Sequence, residues 1–188
     1  SWKQTVVVPE SAPFKPGPTE GKFEKGGATY FTFSFGDATT KIYLRGEQAA
    51  VNGPDGDWRS AKELEGDEGP GQFIGALIKA FRTPDKQAAE LAHAAKELKP
   101  DGDAISSDLT EAGAKSQFRF GTVTNPKGSV KFWVKAGALI KYEYILEGKI
   151  TMGQNQEETA VKGTTAVEIK DVGATKVSVP EAAKKKLS

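Results

Sequence analysis

The chain has 188 residues, of which 26 are basic and 25 acidic, with a net charge of +1 and no cysteine. This length is typical of one domain or of two small ones, and it allows a core that needs no covalent crosslinks. A nearly neutral chain has no strong electrostatic attraction for nucleic acid, so we expect no nucleic-acid partner. The lack of cysteine excludes disulfides, thiolate catalysis and cysteine-based zinc sites.

The first 27 residues are rich in proline and glycine, a composition that disfavours helices and central strands. We interpret residues 1–27 as an extended N-terminal arm with an edge strand at Thr5 to Val8, and residues 28–188 as a single domain. The sequence starts at Ser1 rather than at methionine. This start suggests either a processed or a truncated chain, and processing would imply an exported protein with a membrane tether in the removed upstream segment.

Apolar and polar residues alternate along the next part of the chain, which predicts a four-stranded meander. Its strands are predicted at residues 28–35, 39–45, 48–51 and from Trp58 onward. In the first strand Phe31, Phe33 and Phe35 share one face, because successive side chains of a strand point to opposite sides. Gly36-Asp37 is expected to turn the chain into the second strand, where Ile42 lies on the face opposite to Lys41 and Tyr43.

The pattern changes to a helical period in the middle of the chain. Apolar residues spaced i, i+3, i+4 and i+7 predict a first helix over Gln72 to Arg82. Thr83 as N-cap and Pro84 at the first helical position predict the start of a second helix, which we expect to end near Leu98. The inner face of the second helix is predicted to consist of Ala88, Leu91, Ala92, Ala95 and Leu98.

The C-terminal half returns to strands. Residues 128–150 form a predicted hairpin around the turn Lys135-Ala136-Gly137. We expect Phe132, Tyr142 and Tyr144 to look inward and Trp133 to lie on the outer face or at a rim. Further segments are predicted as a short helix near residues 109–116 and as strands at residues 117–123, 158–170 and 175–179.

Strands and helices that are segregated along the chain are typical of an α+β domain. We predict a curved antiparallel sheet, an unclosed β-barrel, with helices covering its concave face. Space between such a sheet and its helices commonly forms an amphipathic pocket. The candidate lining residues of this cavity are Phe33, Ile42, Phe73, Leu77, Phe81, Phe132, Tyr142 and Tyr144. The same side chains could instead fill an ordinary core, where each contributes about 1.5–3 kcal/mol.

Motifs that would support catalysis are weak. The single histidine, His93, stands mid-helix between alanines, and one histidine without a nearby nucleophile does not build a triad. Asp101-Gly102-Asp103 is not followed by the glycine and glutamate of a calcium loop. The glycine-rich residues 65–71 do not match a phosphate-binding loop, but they would let the following helix move as a lid. We therefore predict no enzyme activity, no metal and no cofactor.

Short motifs in the chain resemble a known superfamily. Lys41 to Glu47 (KIYLRGE), followed by Asp57 to Ser60 (DWRS), resembles the KxYxxG…GxW signature of periplasmic proteins of the LolA/LolB and LppX/LprG type. Phe132 to Lys141 resembles a hairpin of the same families, and residues 165–180 resemble their closing strands. The resemblance implies an unclosed β-barrel plugged by helices, and a role in carrying lipids or lipoproteins across the cell envelope.

Three functions are open on the sequence. The favoured one is an exported, monomeric protein of the bacterial periplasm or cell envelope that binds a lipid or another hydrophobic small molecule between sheet and helices, as a carrier or sensor. The alternative is a structural or protein-interaction module of the envelope with a filled core and no ligand. The third is a hydrolase, which would need a polar cluster in a cleft around His93.

Overall fold

A computed structural model describes residues 1–10, 17–35, 38–53, 55–65, 70–118, 121–151 and 158–187. The predicted turn at Gly36-Asp37 and most of the glycine-rich segment 65–71 lie outside these ranges. In chain order the elements are β1 (Trp2–Val7), β2 (Thr19–Phe23), β3 (Thr29–Phe35), β4 (Ala38–Arg45), β5 (Gln48–Asn52), β6 (Trp58–Ser60), α1 (Ala61–Glu65), α2 (Pro70–Ala80), α3 (Pro84–Ala94), β7 (Lys99–Asp101), β8 (Ala104–Asp108), α4 (Glu111–Gln117), β9 (Thr122–Lys135), β10 (Ala138–Thr151), β11 (Glu158–Ile169) and α5 (Glu181–Lys184).

The strands belong to one antiparallel sheet with the order β6-β5-β4-β3-β2-β1-β11-β10-β9-β8-β7. Because β6 and β7 stand at opposite ends of this order, the sheet is not closed into a barrel. The predicted α+β class with an unclosed antiparallel sheet is confirmed. The edge strand predicted at Thr5 to Val8 is wrong, since β1 lies between β2 and β11. The prolines of the arm fall outside β1, so its N–H groups can bond to neighbours.

Contacts divide the chain into two compact units. The first unit consists of Ser1–Lys3, Pro16–Thr83 and Lys170–Ser188, and the second of Gln4–Lys15 and Pro84–Ile169. β1 therefore contributes its first residues to the first unit and its later residues to the second. Because the two units share β1, this division does not by itself define two domains. The single domain predicted for residues 28–188 stays a prediction.

In the first unit, β3 and β4 carry the inner face. Phe31 pairs with Ile42 in register, and the two side chains are 1% and 0% exposed. On the opposite face Tyr30 lies next to Tyr43, with ring centroids 4.8 Å apart. The predicted alternation of these strands is confirmed, because a slip of one residue would have exchanged the two faces.

The C-terminal tail packs on the Tyr43 face of the first unit. Its buried cluster contains Ala28, Ala50, Val179, Ala183 and Leu187. The strand predicted at residues 175–179 is wrong, since this segment is irregular. Val177 donates its backbone N–H to the carboxylate of Glu24 at 3.0 Å, where a strand would have bonded to a neighbouring backbone.

Helix α1 begins with a capping box that also holds the C-terminal tail. The Glu63 carboxylate accepts the Ser60 N–H at 2.6 Å, and the Ser60 hydroxyl accepts the Glu63 N–H at 3.3 Å. Lys186 Nζ lies 2.6 Å from the same carboxylate. The hydrogen bond from Lys186, followed by those from Ser60, lowers the pKa of Glu63 to about 2.

We expect Lys186→Met to destabilise the protein at neutral pH and to have a smaller effect in acid. The pKa of Glu63 is lowered from 4.5 to about 2 in the folded protein, so its stabilising contribution is complete above the unfolded-state value and is lost as the pH falls toward 2. Thermal unfolding of both proteins over this pH range measures the difference. Lys62→Met, at an exposed neighbour of Glu63, is the control. A pH-independent effect of Lys186→Met would contradict the role of this ion pair.

In the second unit, the β9–β10 hairpin has the predicted inward face, and its pairing shifts register between Leu139 and Lys141 and between Glu147 and Lys149. Phe132 pairs with Tyr142, and both side chains are buried. Trp133 is half-buried on the opposite face, where its Nε1 donates to Asp103 Oδ1 at 3.1 Å. Ala136 and Gly137 turn the chain with φ of 50° and 76°, the left-handed pair that suits the twist of a two-residue hairpin loop.

The helices of the second unit differ from the prediction at their ends. α3 ends at Ala94, because Ala95 forms a β-bridge with Leu109. Leu98, which was predicted to face inward, lies beyond the end of this helix and is exposed, and Ala92 is exposed within it. The strand predicted at residues 117–123 starts only at Thr122, since α4 extends to Gln117, and it continues unbroken to the end of β9.

The prediction that Thr83 is the N-cap of α3 is wrong. Thr83 precedes α3, but its buried hydroxyl has no hydrogen-bond partner among the described residues, so it does not act as an N-cap. Thr110, in contrast, caps α4, because its Oγ1 accepts the Gly113 N–H at 3.0 Å. Between these helices the chain forms the β7–β8 hairpin.

Candidate functional site

The eight predicted lining residues divide between the two units. The first unit contains Phe33, Ile42, Phe73, Leu77 and Phe81, and the second contains Phe132, Tyr142 and Tyr144. Within each unit, a helical segment contacts sheet residues of the predicted inner face. The chemistry of these contacts differs between the units, since they are aromatic in the first and hydrogen-bonded in the second.

The first unit holds an aromatic cluster where α2 meets the sheet. The rings of Phe33 on β3 and Phe73 on α2 have centroids 6.0 Å apart. Phe81, which follows α2, stacks on Phe31 at 4.0 Å with an interplanar angle of 3°. The apolar residues of α2 recur with the helical period, so they form one stripe, and Phe73 brings this stripe into contact with β3. Three of the predicted lining residues are thus drawn together with Phe31 in one cluster.

This aromatic cluster is only partly buried. Phe73 is 42% exposed, and Phe33, Leu77 and Phe81 are half-buried. Ile42, the fifth predicted residue of this unit, is completely buried. Apolar surface that stays in water forgoes about 25 cal/mol per Å² of hydrophobic stabilisation. An apolar ligand that covered these rings would recover part of that stabilisation.

Trp2 extends the cluster and was missed by the sequence analysis. Its ring lies 6.1 Å from that of Phe81 and is 7% exposed. Gly21 provides the space, since a Cβ at this position would lie 2.4 Å from the indole Cε2. The indole Nε1 is buried without a hydrogen-bond partner among the described residues. The proline-rich composition of the first 27 residues concealed this strand.

In the second unit, Gln87 joins α3 to the sheet. Tyr142 Oη donates to Gln87 Oε1 at 2.8 Å, and Gln87 Nε2 donates to Tyr144 Oη at 3.1 Å. All three side chains are buried. Gln87 was missed because hydropathy assigns a glutamine to the solvent face of a helix.

Tyr142 acts as a neutral hydrogen-bonding group on this face. Burial, with smaller contributions from Tyr144 and Asp85, raises the pKa of Tyr142 far above its usual value. The phenol therefore stays protonated and donates a hydrogen bond to Gln87. Phe132 lies beside it, with ring centroids 6.4 Å apart. Residues of a packed core and residues that line a closed cavity are both buried. The role of Phe132, Tyr142 and Tyr144 in lining a cavity therefore stays a prediction.

Two open grooves lie beside β8 and β9 in the second unit, with volumes of about 370 and 420 Å³. Lys96 and Asp108 line both of them, and most of their other lining residues are polar. Neither groove includes any of the eight predicted lining residues. These grooves are thus separate from the aromatic cluster.

The remaining chemical groups are placed as follows. His93 is an exposed residue in the last turn of α3. Among the residues that the structure describes, no three His, Asp or Glu side chains are grouped so that they could hold a metal ion. None of the helices in the described ranges is long and apolar enough to cross a membrane.

No protein-family model matches the chain, and no curated protein or solved structure is significantly similar to it. The resemblance of its motifs to the LolA/LolB and LppX/LprG superfamily therefore stays a prediction.

Proposed function

We propose that this protein binds an apolar ligand, a lipid or another acyl-chain compound, on the aromatic cluster of its first unit. The observation that carries the proposal is the exposure of this cluster: Phe73 is 42% exposed although it lies beside Phe33. The role as a carrier or sensor in the bacterial cell envelope, and the LolA-like family, are parts of the proposal that rest on the resemblance of the sequence motifs.

The physical argument is that an acyl chain matches the exposed surface. Phe73 and Leu77 are four residues apart on α2, so they stand one above the other on the same side of the helix. A chain lying along this side would contact both residues. Each methylene group removed from water contributes about 0.8 kcal/mol, so even a short acyl chain would bind measurably if most of it were covered.

Native mass spectrometry of the purified protein, followed by organic extraction of the same sample, tests the proposal. We expect an acyl lipid to be retained under native conditions and released on denaturation. The affinity of the delipidated protein can then be measured with a pyrene-labelled fatty-acid methyl ester. The lack of both a retained lipid and probe binding would refute ligand carriage.

We expect Phe73→Ala to weaken binding of the pyrene-labelled ester about tenfold, because a large apolar contact surface is removed. Gln72→Ala, at the exposed neighbouring position of α2, is the matched control and should leave the affinity unchanged. Fluorescence titration of the three proteins measures the effect. If Phe73→Ala binds as tightly as the parent protein, the ligand lies elsewhere.

The second candidate function, a protein-interaction module without a ligand, is favoured by a different surface. In the second unit Ile105, Val134 and Ile140 are exposed. Ile105 pairs with the inward-facing Phe132, so it lies on the same sheet face. Exposed neighbouring apolar side chains are typical of protein contact surfaces. Binding of no lipid or probe in the preceding experiments would select this function.

A further inference from the structure

We infer that the ligand of the first unit is an acyl compound whose carbonyl oxygen accepts a hydrogen bond from the Trp2 Nε1–H. The inference rests on the proposed function and narrows the ligand class. Any apolar molecule would satisfy the aromatic cluster, but only a molecule with a hydrogen-bond acceptor next to its chain would also satisfy Trp2.

The indole of Trp2 lies on the same face of the sheet as the cluster. Gly21 pairs with Phe31 across β2 and β3, so a side chain at Gly21 would point to the face that carries Phe31. A Cβ built there lies 2.7 Å from Trp2 Nε1. The N–H group is therefore on the inner face, over the glycine, and the indole ring is close to that of Phe81.

The Trp2 N–H is a buried donor without a hydrogen-bond partner among the described residues. The whole residue is 7% exposed. Buried tryptophan N–H groups usually find a partner, because an unpaired one loses its hydration without compensation. A phenylalanine would fill an apolar position without this penalty. A donor at this place becomes useful when a bound molecule supplies the acceptor.

Thr83 is the second of the described residues of the first unit with a buried, unpaired polar side-chain atom. It follows Phe81 by two residues, and its Oγ1 is also buried without a partner among the described residues. A buried donor without a partner beside an apolar cluster is expected where the polar end of a largely apolar ligand binds. This arrangement favours an ester or carboxyl group over a plain hydrocarbon.

The experiment compares three probes that share one pyrene-labelled decyl chain. They are a methyl ester, the corresponding free acid and decylpyrene, which has no oxygen. The protein carries Trp58→Phe and Trp133→Phe, so that Trp2 is the only one left of the three tryptophans. Biosynthetic incorporation of benzothienylalanine then replaces Trp2 with a ring of nearly the same shape, in which sulfur takes the place of the N–H.

We expect the isosteric replacement to reduce the preference for the ester over decylpyrene about fivefold, as the loss of one hydrogen bond predicts. Affinity for decylpyrene should change by less than about twofold, since the apolar contacts are kept. Energy transfer from Trp2 to the bound pyrene should show that the probe lies beside this residue. Tighter binding of the free acid than of the ester would identify a fatty acid as the ligand, and the reverse order would identify an esterified lipid.

Three outcomes would overturn the inference. An unchanged preference for the ester, with all probes bound, would refute the role of Trp2 but leave the proposed function intact. A clear loss of stability of the ligand-free isosteric protein would show that the N–H has a partner within the protein. Failure of the tryptophan-containing protein to bind any of the three probes would refute the proposed function, and the inference with it.

Discussion

Phe31→Ala is expected to lower the free energy of unfolding by about 3–5 kcal/mol, the range for removal of a buried aromatic ring. Phe31 is 1% exposed, pairs with Ile42 and stacks on Phe81 at 4.0 Å. The loss combines the transfer free energy of the ring with the cost of the cavity that remains. Urea denaturation of the purified variant measures it.

Tyr30→Ala is the control for this substitution, because Tyr30 is the preceding residue on the same strand. Its ring is half-buried on the opposite face, where it lies beside Tyr43. We expect its removal to destabilise the protein clearly less than removal of Phe31. The reverse ranking would mean that β3 presents its other face to the core, since a shift of one residue exchanges the faces.

Gln87→Leu is expected to lower the free energy of unfolding by about 2–3 kcal/mol, although leucine is more apolar than glutamine. The substitution removes the hydrogen bonds of Gln87 with Tyr142 and Tyr144. It leaves the phenol of Tyr142, which is 0% exposed, without the acceptor it now has. An unpaired buried donor costs more than its hydrogen bond contributed on balance.

The double variant Gln87→Leu/Tyr142→Phe separates this cost from a general change in packing. It removes both partners of the shorter hydrogen bond, so it should recover at least half of the lost stability. Ala89→Leu, at an exposed position of α3, controls for the introduction of leucine into this helix. If the double variant is less stable than Gln87→Leu alone, Tyr142 is stabilised by a contact other than that with Gln87.

The two units therefore hold their helical segments by different physical means. In the second, Gln87 fixes α3 through directional hydrogen bonds to two tyrosines. In the first, the observed contacts between α2 and the sheet are aromatic, and hydrophobic contacts are non-directional. An apolar ligand can replace the aromatic contacts of the first unit more easily than the buried hydrogen bonds of the second. Replacing aromatic contacts leaves no polar group unpaired. This difference favours the first unit as the ligand site.

Several parts of the architecture could be predicted from the sequence. The alternation of Phe31 and Ile42 with polar neighbours assigned both strands to the correct face, and the i, i+4 spacing of Phe73 and Leu77 placed α2 in the correct part of the chain. The turn at Ala136-Gly137 also lies where the pattern predicted it. These features depend on local geometry, since the strand period of two and the helical period of 3.6 residues appear directly in the order of apolar residues.

Other features depended on partners that are distant in the chain. The prediction of a strand at residues 175–179 failed because Glu24 accepts the Val177 N–H. These two residues are 153 positions apart in the chain, and no local pattern encodes such a contact. The N-cap role of Thr83 failed although its residue type and position were favourable.

The sequence by itself determined strands β3 and β4, the β9–β10 hairpin and which of their faces are apolar, because those properties follow from backbone periodicity. Only the tertiary structure decided which polar groups are buried. Gln87 is paired with two tyrosines, whereas the Trp2 indole is buried over Gly21 without a described partner. The reason is that burial and hydrogen bonding of a polar side chain depend on what the fold brings next to it, and not on its own neighbours in sequence.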